Sequence, residues 1–185
     1  MLKISGPSNA DPIKIYYQQE YAQDDNYPGV DEESMTGDWV GKGAESLGLI
    51  GKVNHDTFEK LADGISPNGT QLVKFSPGKN RVEHRSAWDC TFSASKSVSI
   101  IALAEGGDRG LIDDHHAACE VAFSVLEAAA QARAGADRNQ IHHTKNLVAA
   151  RFTHLENRRL DPQLHSHHVV FNLTYDDQAL SRNGE

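Results

Sequence analysis

The chain has 185 residues, a formal net charge of −8 and 24% charged residues, a composition typical of a folded globular domain. The acidic balance argues against a protein that coats nucleic acid non-specifically, because phosphate binding needs a basic face, but it leaves room for a local basic groove. Two cysteines fit a reducing cytosol better than a disulfide scaffold, and neither a long apolar run nor a signal-peptide pattern is visible. We therefore expect one cytoplasmic domain over residues 1–185.

Helical and strand-like patterns alternate along the chain. The first half predicts helices at 11–23, with Asp11 as N-cap, at 39–48 and at 56–62, and then strands at 71–75 and 81–92. The second half predicts a helix at 94–104 with Ser93 as N-cap, the longest helix at 113–134, and a closing pair of strands at 146–154 and 164–174. This order predicts an α+β fold, in which helices cover an antiparallel β-sheet.

Three histidines stand close together where the last strand begins. His165 and His167 are two residues apart and share one face of a strand, whereas His168 points to the other face. If the hairpin closes across 155–163, His154 lies close to His165. Three neutral imidazoles suit zinc, nickel, copper or manganese and leave positions open for a substrate oxygen. The pattern predicts a metal site on the central hairpin strands, and hydrogen-bonded strand histidines without a metal remain the alternative.

A histidine that binds a metal normally needs an acceptor to orient its ring, and Asp89 and Glu156 are the candidates. The adjacent pairs at 115–116 and 142–143 are expected to be structural, because neighbouring side chains point in different directions. The chain has no H-E-x-x-H motif. The G-K-G run at 41–43 lacks the spacing of a phosphate-binding loop, so we expect no nucleotide site.

Four of the five tyrosines lie between residues 16 and 27. On a helix, Tyr17 and Tyr21 share a stripe with Ile13 and are expected to be core residues, which leaves Tyr16 on another face. A phenol is a poor nucleophile near its usual pKa of about 10. Beside a divalent cation or a carboxylate base it becomes a usable one, and its attack on a phosphodiester would give a covalent phosphotyrosine.

Four separated pieces of the chain carry a family resemblance. They are the Tyr16-Tyr17 pair with Tyr27 after an acidic stretch, the run W-V-G-K-G-A-E-S-L-G-L at 39–49, the run D-C-T-F-S-A-S-K-S-V-S at 89–99, and the block at 154–172 that contains D-P-Q-L-H-S-H. In this order they resemble the N-terminal relaxase domain of conjugative relaxases of the TrwC/TraI type, the MobF class, which has the histidine-hydrophobe-histidine endonuclease fold.

The resemblance implies a metal-dependent enzyme that nicks and rejoins one strand of plasmid DNA at a transfer origin and so initiates conjugative transfer. It implies that the first tyrosine of the pair, Tyr16, attacks the scissile phosphate and stays joined to its 5′ side. It also implies single-stranded or hairpin DNA as a partner, with other relaxosome or coupling proteins. The remaining implied roles are Tyr27 as a second catalytic tyrosine, Asp89 as the acid that orients a ligand histidine and helps to deprotonate the tyrosine, and His154, His165 and His167 as ligands of Mg or Mn in function, or of Zn or Ni as a bound ion.

The sequence departs from the family pattern at three points. Pro28 follows Tyr27, where related sequences often have a second tyrosine pair, and Ser95 stands where a proline is common. The relaxase domain of the family also runs further than residue 185. We therefore expect residues 1–185 to be a relaxase core, cut short at its C-terminal end, with weakened DNA binding.

Five basic residues are candidates for phosphate contacts, with solvated side chains as the alternative. The acidic balance predicts weak non-specific binding, so specificity should come from a DNA hairpin or from single-stranded bases. These candidates are Lys42, Lys96, Arg151, Arg158 and Arg159.

Three other functions compete with the relaxase interpretation. A rolling-circle replication initiator shares this chemistry but usually places its tyrosine after the histidines, whereas Tyr16 precedes them. A second alternative is an inactive or weakly active module of the same fold that binds DNA or a partner protein. A third is a zinc hydrolase that uses an activated water in place of a tyrosine.

Overall fold

The computed structural model describes residues 1–17, 37–73, 85–104, 106–134, 139–157 and 159–176. In chain order the elements are β1 (Leu2–Ile4), β2 (Ser8–Asn9), α1 (Ala10–Tyr16), β3 (Asp38–Val40), α2 (Lys42–Ser46), α3 (His55–Ala62), β4 (Arg85–Ser93), α4 (Lys96–Leu103), α5 (Gly110–Ala128), β5 (Gln131–Ala134), β6 (Gln140–His143), β7 (Val148–Glu156) and β8 (Pro162–Phe171).

Within these described ranges, the largest sheet is antiparallel and has six strands. Its strand order is β1-β4-β8-β7-β3, and β2 also pairs with β4. The long strand β8 lies in the centre, between β4 on one side and its hairpin partner β7 on the other. A separate ribbon pairs β5 with β6. The predicted α+β fold with an antiparallel sheet is confirmed.

Helices cover both faces of the large sheet. On one face, Ile13 of α1 and Phe58 of α3 pack with Phe152 of β7. On the opposite face, Phe123 of α5 packs with Val170 of β8. We call these the α1 face and the α5 face. Because successive side chains of a strand point to opposite faces, each residue of β7 and β8 belongs to one face or the other.

Two predicted helix boundaries in the middle of the chain are wrong. The segment 39–48 does not begin as a helix, since Trp39 lies in β3, pairs with Ala150 of β7 and packs on Phe171. The longest helix ends at Ala128 and not at residue 134, because residues 131–134 pair with β6. In both places the pairing of distant strands overrides a local helical preference.

The predicted N-caps also differ from the structure. Ser95, and not Ser93, caps α4, and its hydroxyl accepts the N–H of Val98 at 3.3 Å. Ser93 instead ends β4, opposite His165. At α1 the N-cap position is Asn9 and not Asp11.

Three predicted elements run beyond the described residues. The helix at 11–23 is described only as far as residue 17. The strand at 81–92 is found from residue 85 onward. Of the strand at 71–75, only residues 71–73 are described, and there Gln71 makes a single bridge to Ile65 in place of a strand.

The glycines of the G-K-G run are required by packing. Gly41 has a φ of 100°, and an added Cβ there would lie 2.4 Å from the carbonyl oxygen of Leu147. At Gly43 the same oxygen would lie 2.7 Å from the Cβ. The buried carboxylate of Glu127 accepts the N–H groups of Lys42 at 2.8 Å and of Leu147 at 3.0 Å. This run therefore joins α2 closely to the start of β7.

We expect Gly43→Ala to destabilise the fold by about 1–3 kcal/mol, because the added methyl overlaps the backbone before β7 and something must shift. The matched control is Gly6→Ala, whose Cβ would meet no atom within 4 Å. Denaturant unfolding measures both variants. Equal stability of the two would contradict this account of the motif.

Candidate metal centre

Three histidine rings converge on the α1 face. His154 of β7 is paired directly with His165 of β8, and His167 follows two residues later on the same face. Their ring centroids are 5.3 Å apart for His154 and His165, 5.4 Å for His154 and His167, and 5.1 Å for His165 and His167. We call this cluster the histidine triad. The hairpin geometry expected from the sequence brings the three rings together.

Hydrogen bonds orient two of the three rings. Nδ1 of His167 donates to Oδ2 of Asp89 on β4 at 2.8 Å, and Nδ1 of His165 donates to the carbonyl oxygen of Gln163 at 2.8 Å. A proton on Nδ1 leaves the lone pair on Nε2, which is then the nitrogen that would bind a metal. Of the two predicted acceptors, Asp89 makes this contact.

Burial keeps His154 neutral. Desolvation, followed by the charges of His167 and His165, lowers the pKa of His154 to about 4. Neutral imidazole is the form that binds a metal, so the donor set suits a divalent ion. An ion about 2.1 Å from each nitrogen would hold three ring centroids about 5 Å apart.

The side chains of the triad do not have the arrangement of a metal-bound site. Within the residues that the structure describes, no three His, Cys, Asp or Glu side chains meet the geometry of a bound metal ion. The ring separations nevertheless match such a site, and rotation of the rings about their side-chain bonds would redirect the nitrogens without moving the strands.

The end of α1 lies against the same face as the triad. Tyr17 is buried, stacks on Phe58 at 4.2 Å and meets the edge of Phe152 at 5.4 Å between ring centroids. Burial raises the pKa of Tyr17, as expected for a core residue. Tyr16 is the last residue of α1, and its side chain is outside the described part, as is all of Tyr27.

The basic candidates lie in two separate regions. Lys96 is exposed at the start of α4, and its ammonium donates to the carbonyl oxygen of Pro162 at 2.8 Å. Arg159 is exposed in the connection between β7 and β8, and Arg158 falls outside the described residues. Lys42 is exposed beside α5, across the sheet from the triad.

Arg151 also lies on the α5 face, because it pairs with His168 rather than with a triad residue. Its guanidinium donates to Asp38 and to Glu120, each at 3.3 Å, and its side chain is only 11% exposed. This placement favours a structural role for Arg151 over a phosphate contact.

Two groups that position candidate functional residues were not anticipated from the sequence. One is the carbonyl oxygen of Gln163, which orients His165. A backbone group leaves no signal in a residue pattern. The other is Glu127, which fixes α2 and with it the position of Lys42. Glu127 stands four residues after Phe123 on the buried stripe of α5, and a carboxylate at such a position was a signal in the sequence.

The α5 face carries its own buried imidazoles. His168 lies between Phe92 and Phe123, and its pKa is lowered to about 3 by burial first. His115 of α5 contacts the hydroxyl of Ser166 at 3.0 Å. Burial, then the charges of His116, His165, Arg151 and the N-terminus, lower the pKa of His115 to about 4.

No helix within the described ranges is long and apolar enough to span a membrane.

Comparison with known proteins identifies close relatives. A family model described as TrwC relaxase matches residues 10–184. The multifunctional conjugation protein TraI of Escherichia coli K12 is 44% identical over 175 residues, which is 94% of this chain and 10% of that protein.

Solved structures give the same result. A metal-bound conjugative relaxase TrwC in complex with oriT DNA has 36% identity and a TM-score of 0.79, covering 96% of this chain and 58% of that one. A copper-bound TrwC complex with oriT DNA has 35% identity and a TM-score of 0.80, covering 96% of this chain and 59% of that one. The chain thus spans a tenth of the curated relative and under two thirds of the solved chains.

The buried His115 predicts a pH-dependent stability. Its folded pKa of about 4 lies below the unfolded value of 6.5, so the unfolded chain takes up a proton first as the pH falls. Above pH 6.5 His115 therefore does not change the free energy of unfolding. Between pH 6.5 and about 4 it lowers this free energy progressively, by up to about 3 kcal/mol.

We expect His115→Gln, which cannot titrate there but can still contact Ser166, to lose less stability than the wild type between pH 7 and pH 4. Denaturant unfolding across this range measures the difference. Parallel stability curves for the two proteins would contradict the assignment.

Proposed function

Because the chain belongs to the TrwC relaxase family, we propose that it nicks and rejoins one DNA strand at a plasmid transfer origin and thereby initiates conjugative transfer. The observation that carries the proposal is the histidine triad, with Asp89 bonded to His167, on the face against which α1 ends. The solved relatives support the substrate class, since they are relaxase complexes with oriT DNA.

The triad would hold a divalent metal ion, Mg or Mn in function, with Zn or Ni as ions that the same nitrogens can bind. When bound, the ion draws charge from the non-bridging oxygens of the scissile phosphate. The metal-bound and copper-bound TrwC structures support a bound metal ion.

Tyr16 would be the nucleophile. Its phenol oxygen forms the bond to phosphorus, the bond from phosphorus to the 3′ oxygen breaks, and the leaving strand takes a proton to become a free 3′-OH. The 5′ phosphate stays on the tyrosine, and the reverse reaction rejoins the strand without a nucleotide cofactor. Tyr17, the residue after Tyr16, packs on Phe152, two residues before His154, so α1 ends on the face of the sheet that carries the triad.

Asp89 would have two roles. Through Oδ2 it orients His167. Its other oxygen, Oδ1, is buried and has no hydrogen-bond partner among the residues that the structure describes, so we assign it the proton that the nucleophilic tyrosine gives up. Tyr27 would act as the second catalytic tyrosine in a later strand transfer.

The DNA backbone would pass the hairpin end of the sheet. Lys96 and Arg159 are exposed there, and Arg158 precedes Arg159 in the sequence. The partners would be single-stranded or hairpin DNA of the transfer origin, together with other relaxosome or coupling proteins. Both cysteines are buried thiols, which supports a site of action in the reducing cytoplasm, with residues 1–185 acting as the relaxase core.

We expect Tyr16→Phe to abolish the covalent adduct. The assay mixes the protein and Mn²⁺ with single-stranded oligonucleotides from the transfer origin of its own plasmid, and detects a denaturation-resistant complex by gel and mass spectrometry. The matched control is Tyr17→Phe, which keeps the buried ring and should still form the adduct.

An adduct on Tyr16 that chelator prevents would establish strand transfer. Cleavage that persists in Tyr16→Phe would point to a metal-activated water and would sink the proposal. No adduct from a wild-type protein that binds Mn²⁺ would favour the inactive binding module.

We expect Asp89→Asn to weaken Mn²⁺ binding about 10–100-fold, because a neutral amide holds His167 less firmly than a carboxylate does. Isothermal titration calorimetry measures the affinity. Asp114→Asn, an exposed residue of α5, is the matched control and should bind as the wild type does. Wild-type affinity in Asp89→Asn would contradict the role given to this carboxylate.

A further inference from the structure

A partly buried chain of hydrogen bonds lies directly behind the histidine triad, on the α5 face. Thr153 of β7 is paired with Ser166 of β8, and their hydroxyls are 3.0 Å apart. Nε2 of His115 lies 3.0 Å from the Ser166 hydroxyl, and Nε2 of His116 lies 2.9 Å from the Thr153 hydroxyl. One turn of α5 thus holds the two central strands together.

The bonds form one continuous series. If His116 donates to Thr153, then Thr153 donates to Ser166 and Ser166 donates to His115, and the opposite direction is equally consistent. Burial lowers the pKa of both histidines, so both rings are neutral and can take either role. Ser166 is fully buried, and such a network stabilises a structure only when every member is paired.

The position of this network in the hairpin is informative. The pair Thr153 and Ser166 immediately precedes the pair His154 and His165, which supplies two rings of the triad. Just beyond His154 the register of β7 and β8 shifts before Glu156. The bulge interrupts the ladder hydrogen bonds between β7 and β8, so on β7 the regular ladder restrains His154 only from the side of Thr153, while His165 is also paired with Ser93 of β4.

A metal site tolerates little movement of its ligands, of the order of 0.5 Å. We propose that His115 and His116, acting through Ser166 and Thr153, are positioning residues that hold the His154 and His165 pair at the spacing a metal needs. The inference rests on the proposed function, because it assigns these residues to the same metal centre. It also explains why α5 has polar side chains at these two positions, since apolar side chains could pack against the sheet equally well.

Two substitutions of Thr153 distinguish the effect of its hydroxyl group from the effect of its side-chain shape. Thr153→Val keeps the branched shape and removes the hydroxyl, whereas Thr153→Ser keeps the hydroxyl. We expect Thr153→Val to weaken Mn²⁺ binding about three- to tenfold, less than loss of a direct partner of a ligand. Thr153→Ser should bind within about twofold of the wild type, by calorimetry on the whole chain.

Phe123→Leu is the stability control. Phe123 is a buried residue of α5 that lies outside the network, so this variant should lose stability and keep its metal affinity. Wild-type affinity in Thr153→Val would overturn the inference. An equal loss of affinity in Phe123→Leu would also overturn it, because the effect would then follow stability alone.

A metal-free measurement separates this inference from the proposed function. Imidazole NMR signals of His154 and His165, recorded in chelator, should shift or broaden in Ser166→Ala more than in Phe123→Leu. If the wild type binds no metal, the proposed metal centre fails, and the NMR comparison still decides whether the network positions the rings. Unchanged signals in Ser166→Ala would overturn the positioning role.

Discussion

The register between β7 and β8 is the constraint on which the rest of the structure depends. Because side chains alternate along a strand, a shift of β8 by one residue would move Val169 and Phe171 out of the core cluster and His165 and His167 off the α1 face together. The free energy of burying the core therefore also enforces the geometry of the triad. A residue such as Phe152, which has no chemical role, fixes the place of His154 two positions later.

The two faces of β8 have different roles. The α1 face carries the triad, Asp89 and the packed end of α1, where we propose the chemistry. The α5 face carries buried polar groups that join one helix to the central hairpin. Because side chains alternate along β8, Ser166 contacts α5 while its neighbours His165 and His167 belong to the triad on the opposite face.

Much of the site followed from the sequence because it depends on one hairpin. A short stretch of sequence contains both the spacing of His165 and His167 and the length of the connection from His154. The structure brings these three rings together. The boundaries near Trp39 and after Ala128 could not be obtained in the same way, because they depend on pairing with β7 and β6. The roles of His115 and His116 were hidden for a related reason: adjacent histidines looked structural until the facing hydroxyls of Thr153 and Ser166 were located.

The most direct test of the account is a count of the imidazole nitrogens around bound Mn²⁺. Electron spin-echo spectroscopy on protein labelled with ¹⁵N-histidine detects nitrogens bonded to the ion. We expect coupling to three imidazoles, with one lost in each of His154→Ala, His165→Ala and His167→Ala. Bound Mn²⁺ without imidazole coupling, or with coupling unchanged by these substitutions, would contradict the account, since the triad would then not be the metal centre.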